Sequence, residues 1–180
     1  MPNSKSRTCA DSRRGFTLSG LVLGLASAGL LVMLFIPLYQ NAKNTATLRA
    51  TIAVMEMWDK AIKAYESDFG VTPTNPNGRI HYKKPILREL MPYFERVRVA
   101  DLWGTPYRIW IGPGIKKYGI KTTGPGDILI VSLGKEGNQE NWSYDPERPQ
   151  AGLYSLRGSE DFEKDIVLWN GRMVRGPINP

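Results

Sequence analysis

The chain has 180 residues, 42% of them apolar and 23% charged, with a formal net charge of +7. That length suits one domain with an appended segment, and that apolar share is enough to build a core. Cys9 is the only cysteine and precedes every candidate cleavage point, so a processed chain is left without a disulfide, a thiolate metal site or a cysteine nucleophile. A net charge of +3 falls within the first 15 residues, from Lys5, Arg7, Arg13 and Arg14 against Asp11. The remaining excess is spread along the chain, which favours a solvated basic surface over a nucleic-acid site.

The opening stretch, Ser12 to Tyr39, admits three readings. Arg13-Arg14 followed by Gly15-Phe16 suits a twin-arginine export signal, with Ala26-Ser27-Ala28 as small residues at a cleavage point. Against this, the chain stays apolar beyond Ala28, which would leave a soluble protein with a greasy tail. The run from Phe16 to Ile36 holds 21 residues without a charge. At helical rise it spans roughly 31 Å, one bilayer core, so a plain anchor fits too. The arginines at its start bias that end to the cytoplasm. The third reading is a leader cut after Gly15 that leaves the apolar run on the mature chain. Pro37 then either softens a continuing helix, by removing one hydrogen bond and clashing with the preceding turn, or marks the end of the span.

Beyond Pro37, Leu48, Ile52, Met55, Trp58, Ile62, Tyr65 and Phe69 recur at spacings of three and four. This predicts an amphipathic helix over 38–69 whose apolar stripe is core, stopped by Gly70. A turn-rich loop, "VTPTNPNG", follows. "KPILRELMPYFERV" predicts a short helix, irregular at Pro92, with Leu87, Leu90 and Phe94 on one face. In "DLWGTPYRIWIG", Gly104 permits a tight turn and Pro106 blocks early pairing, after which Tyr107, Ile109 and Ile111 alternate as a strand. "GPGIKKYGIKTTGPGD" predicts a hairpin with turns at both ends. In "GDILIVSLGKEGNQENW", Ile128, Ile130 and Ser132 alternate with Leu129, Val131 and Leu133, the pattern of a central strand apolar on both faces. "YDPERPQAGLYSLRG" is expected to form a further hairpin.

Several of these segments together resemble the pseudopilins of type II secretion, members of the type IV pilin-like superfamily. "RRGFTL" resembles the prepilin leader. Asp101, Trp103, Gly104, Pro106 and Tyr107 match the family's Asp-Pro-Trp-Gly-Asn-Pro-Tyr motif, with Leu102 and Thr105 departing from it. "SLGKEG" resembles Ser-Leu-Gly-Ala-Asp-Gly, and "SEDFEKDIVLWN" resembles the acidic segment ending in Asp-Ile. The resemblance implies cleavage between Gly15 and Phe16, N-methylation of Phe16, and an α+β pilin-like fold. In that fold one long N-terminal helix, half transmembrane and half amphipathic, packs on a small antiparallel sheet. The expected organisation is a leader over 1–15, a transmembrane half over 16–37, an amphipathic half over 38–69 and a head over 70–180. Gly20 stands where the family has glutamate, a carboxylate thought to meet the free amine of a neighbouring subunit.

The resemblance further implies a calcium site in the two acidic loops. Calcium takes six to eight oxygens and tolerates irregular loops. Asp165, directly before Ile166, carries over most closely, then Asp161. Glu136 takes the place of the loop aspartate, and Asn138 is added on chemistry alone. No EF-hand spacing is present. The implied partners are other copies or related pseudopilins through the N-terminal helix, a prepilin peptidase, an inner-membrane assembly platform and lipid, with no nucleic acid. The implied location is the bacterial inner membrane, single-pass, with the head in the periplasm. The chain contains no Walker loop or zinc-ligand cluster, and its sole histidine, His81, sits in a loop beside Tyr82 and two lysines. This points away from an enzyme and towards a structural subunit of a pseudopilus. A type IV pilin-like component for adhesion or DNA uptake, and an exported protein with a cleaved twin-arginine signal, are the alternatives.

Overall fold

The structure, a computed structural model, describes residues 18–73, 75, 77–80 and 84–179. Gly15, Phe16 and His81 lie outside the described residues. The chain divides into two compact units, 1–40 and 41–180, with the boundary inside the first helix.

That helix, α1, is Leu18–Phe69, and it runs through Pro37 without a break in assignment. In the first unit its described residues are all exposed. They include an apolar window long enough to cross a membrane. Ser27 Oγ in this part bonds back to the Leu23 and Gly24 carbonyls at 3.0 Å, so it is satisfied within the helix.

The second unit is an α+β head. The C-terminal part of α1 contributes Leu48, Ile52, Met55, Trp58 and Ile62 to the core. The predicted stripe is right over these positions and ends early. Tyr65 is only half-buried, and Phe69 is 62% exposed, stacked on Tyr65 at 4.6 Å between ring centroids. Gly70, at φ +67°, donates to the Glu66 carbonyl and stops the helix. Helix α2, Pro85–Leu90, runs into a 3₁₀ turn, Met91–Tyr93, at Pro92. Ile86, Leu87 and Leu90 are buried, and Phe94 meets Trp58 edge-on at 4.7 Å.

The strands are β1 (Arg108–Ile111), β2 (Lys116–Lys117), β3 (Ile120–Lys121), β4 (Ile128–Ser132), β5 (Leu153–Tyr154), β6 (Ile166–Trp169) and β7 (Arg172–Pro177). The main sheet has the order β1-β4-β6-β7-β5, antiparallel except for the parallel pair β5 and β7. β4 lies inside the sheet, between β1 and β6, as its two-sided apolar pattern predicts. Ile128 and Ile130 join the cluster under α1, while Leu129 and Val131 join a second cluster on the opposite face. That second face is covered by the hairpin β2–β3, whose tip places Tyr118 and Gly119 at positive φ. The expected hairpin over 144–158 does not form. The segment is a series of turns that ends in β5, laid parallel to β7. A two-residue strand has no period of its own to read, so the pairing is set by β7 and not by local pattern.

Candidate functional site

Two places in the head concentrate polar chemistry. The first is the turn carrying Asp101, Trp103, Gly104, Pro106 and Tyr107. Asp101 is buried, and its Oδ1 accepts from the Trp103 and Thr105 amides at 3.0 and 2.8 Å. Its Oδ2 accepts from Ser132 Oγ at 2.8 Å, which ties the turn to β4. Gly104, at φ +96°, closes the turn. Tyr107 is buried against α1, and its hydroxyl donates to the Thr51 carbonyl at 3.4 Å. Burial pushes the Asp101 carboxyl above its ordinary range, opposed by Ser132 and the turn amides, and burial likewise raises Tyr107. This motif fastens the start of β1 to both the helix and β4.

The second place lies where the loop after β4 meets the residues before β6. Gly134, at φ +64°, is pressed so closely on the chain at 163–164 that a Cβ there would meet the Glu163 carbonyl oxygen at 2.5 Å, and the Lys135 amide donates to the Phe162 carbonyl. The two predicted ligand loops are therefore neighbours. Their predicted ligands do not converge. Glu136 and Asn138 are exposed. Asp161 accepts from the Arg157 and Gly158 amides at 2.7 and 3.1 Å and pairs with Lys164 at 2.5 Å, which holds its carboxyl down at about 2. Asp165 is fully buried and accepts through Oδ2 from the Tyr118 hydroxyl at 2.8 Å and the Glu140 amide at 3.1 Å. Burial, first of all, pushes the Asp165 carboxyl up. Among the described residues no three His, Cys, Asp or Glu side chains gather as around a metal ion. Glu136, Asp161 and Asp165 therefore do not form such a group.

The residue that Asp165 does meet, Glu140, was not among the expected ligands. The Asp165 amide donates to Glu140 Oε2 at 3.0 Å, and Arg175 reaches the same oxygen through Nε at 2.7 Å and Nη2 at 2.6 Å. The Arg175 guanidinium also lies 5.2 Å from the Trp142 ring centre and 5.7 Å from that of Tyr154. Glu140 and Arg175 are 35 positions apart, and only the sheet order brings them together, so no local pattern could have found the pair.

No protein-family model, no curated protein and no solved structure matches the chain.

Proposed function

We propose that this chain is a pseudopilin-like structural subunit of a type II secretion pseudopilus. In this reading a prepilin peptidase cuts after Gly15 and Phe16 is methylated. The apolar part of α1 anchors the chain in the bacterial inner membrane, with the head on the periplasmic side. An assembly platform then moves the subunit into a filament with other copies or related pseudopilins. The role is mechanical: growth of the filament supports protein export, and no residue performs chemistry on a substrate.

The observation that supports it best is the division of labour along α1. Residues 18–40 are exposed and almost wholly apolar, while Leu48 to Ile62 present one stripe to an α+β head. Exposed apolar surface of this extent needs an apolar surrounding, lipid first and helices of neighbouring subunits afterwards. In lipid the gain on assembly comes from packing and not from leaving water. With Gly20 in place of the family's glutamate, the packing proceeds without that carboxylate.

Sequencing the N-terminus of the mature protein tests the reading. The expected first residue is Phe16, carrying a methyl group. A chain beginning at Gly29 would establish a removed export signal, and an uncut chain a plain anchor. Either result defeats the proposal.

A further inference from the structure

We infer that Arg175 supplies, from within the chain, the positive charge that joins the loop after β4 to the start of β6, so that the head keeps its fold without a bound divalent cation. The inference concerns the head alone and stands whether or not the chain forms a filament.

Glu140 and Asp165 exchange hydrogen bonds: the amide of each donates to the carboxylate of the other, at 3.1 and 3.0 Å. Two carboxylates held this close, one fully buried, repel each other while both are ionised, and a cation beside them relieves that repulsion. Arg175 is that cation. Its side chain is 12% exposed and that of Glu140 25%, and two of its nitrogens converge on one Glu140 oxygen. Charge-assisted bonds of this kind are short and strong.

Lys164 plays the same part for Asp161. The two cations flank one ring: Lys164 lies 4.6 Å from the centre of Tyr154 and Arg175 5.7 Å from it. Tyr154 belongs to β5, so the pairing of β5 with β7 brings this ring beside the two cations.

Four of the six carboxylate oxygens of Glu140, Asp161 and Asp165 already accept hydrogen bonds. Glu140 Oε2 accepts from three N–H groups, Asp161 from two amides and an ammonium, and Asp165 Oδ2 from a hydroxyl and an amide. Of the others, Asp165 Oδ1 is buried without a partner, and alone it falls far short of the six to eight oxygens that calcium takes. An ion placed there would also face the guanidinium at close range. The clamp reaches further than the two loops. Tyr118, at φ +52°, is held through its hydroxyl on Asp165, and its carbonyl accepts from the Tyr144 amide at 2.6 Å, so the tip of β2–β3 depends on it too.

The test is thermal unfolding of the full chain in detergent, followed by tryptophan fluorescence, with calcium chloride and with EDTA. The wild-type Tm is expected to be the same in both. Arg175→Met, which keeps the bulk and removes the charge, is expected to lower Tm by roughly 5 °C or more in both conditions. The double variant Glu140→Gln with Arg175→Met removes both charges and is expected to melt above the single variant, which also serves should the single variant fail to fold. A wild-type Tm that falls in EDTA overturns the inference. So does an Arg175→Met chain that melts like wild type, or a double variant that melts no higher than the single one.

Discussion

The two parts of α1 are built from similar residues and are buried very differently. Leucine, isoleucine and methionine fill residues 18–38 and every one is exposed; the same kinds of residue at Leu48, Ile52, Met55 and Ile62 are almost fully covered. The difference lies in arrangement. In the first part apolar side chains go all round the helix, a surface that no single protein face can cover. In the second they form one stripe, with Arg49, Glu56, Lys60 and Lys63 elsewhere, and a sheet covers it. Apolar content alone does not say where a helix segment lives; the angular spread of that content does.

The comparison can be broken from either side. The largest effect is expected in the second part. Trp58 is 0% exposed, packs against Phe94 and donates its indole N–H to the Arg98 carbonyl at 2.9 Å. Trp58→Ala should destabilise the head by about 3–5 kcal/mol, read by urea unfolding. Its membrane association should not change. A loss below about 1 kcal/mol would mean that α1 does not organise the core. In the first part, Leu30→Arg should leave the unfolding curve unaltered. It should weaken membrane insertion by about 2.5–3.5 kcal/mol, read as protein released by alkaline extraction of membranes. If Leu30→Arg instead lowers Tm, the first part is contributing to a folded core after all.

Over most of its length a period in the sequence was a faithful guide. The stripe on α1 and the two-sided burial of β4 follow from spacings of three to four and of two. The Asp101 turn could be located from Gly104 and Pro106, although its tie to Ser132 could not. What escaped is what depends on distant partners. Phe69 keeps the stripe's spacing but lies about two turns past Ile62, the last fully buried position, so it is left exposed. β5 is a strand only because β7 is beside it. Glu140 was passed over for Glu136 and Asn138, which sit closer to the glycine turns, and the choice is decided by Asp165 and Arg175, neither of them nearby in the chain. Gly78 is similar: a Cβ there would meet the Trp110 ring at 2.1 Å, a contact that no local composition announces.

The Asp101 turn gives a smaller and more selective test. Asp101→Ala leaves the Trp103 and Thr105 amides and the Ser132 hydroxyl without their acceptor. A cost of about 1–3 kcal/mol is expected in urea unfolding. Asp101→Asn should recover most of it. The amide oxygen can still accept from the two backbone N–H groups, and the amide nitrogen can donate to Ser132 Oγ. Equal losses in the two variants would show that the charge, and not the pattern of acceptors, holds the turn.

The smallest expected effect is on acid stability, and it separates two buried aspartates of the head, Asp161 and Asp101, by sign. Asp161 has its folded pKa lowered to about 2 from an ordinary 3.8, by Lys164 first and then the Arg157 amide, against burial. A lowered carboxyl stabilises the fold fully above its unfolded value, and that contribution is lost as pH falls from about 4 through about 2. Asp101 is shifted the other way, chiefly by burial, so its ionisation weighs against the fold, and acid relieves that cost. Tm measured from pH 5 to pH 2 should therefore fall less steeply for Asp161→Asn than for wild type, and more steeply for Asp101→Asn. If Asp161→Asn falls as steeply as wild type, the Lys164 pair contributes nothing in solution, and the capped turn at 157–161 rests on its backbone bonds alone.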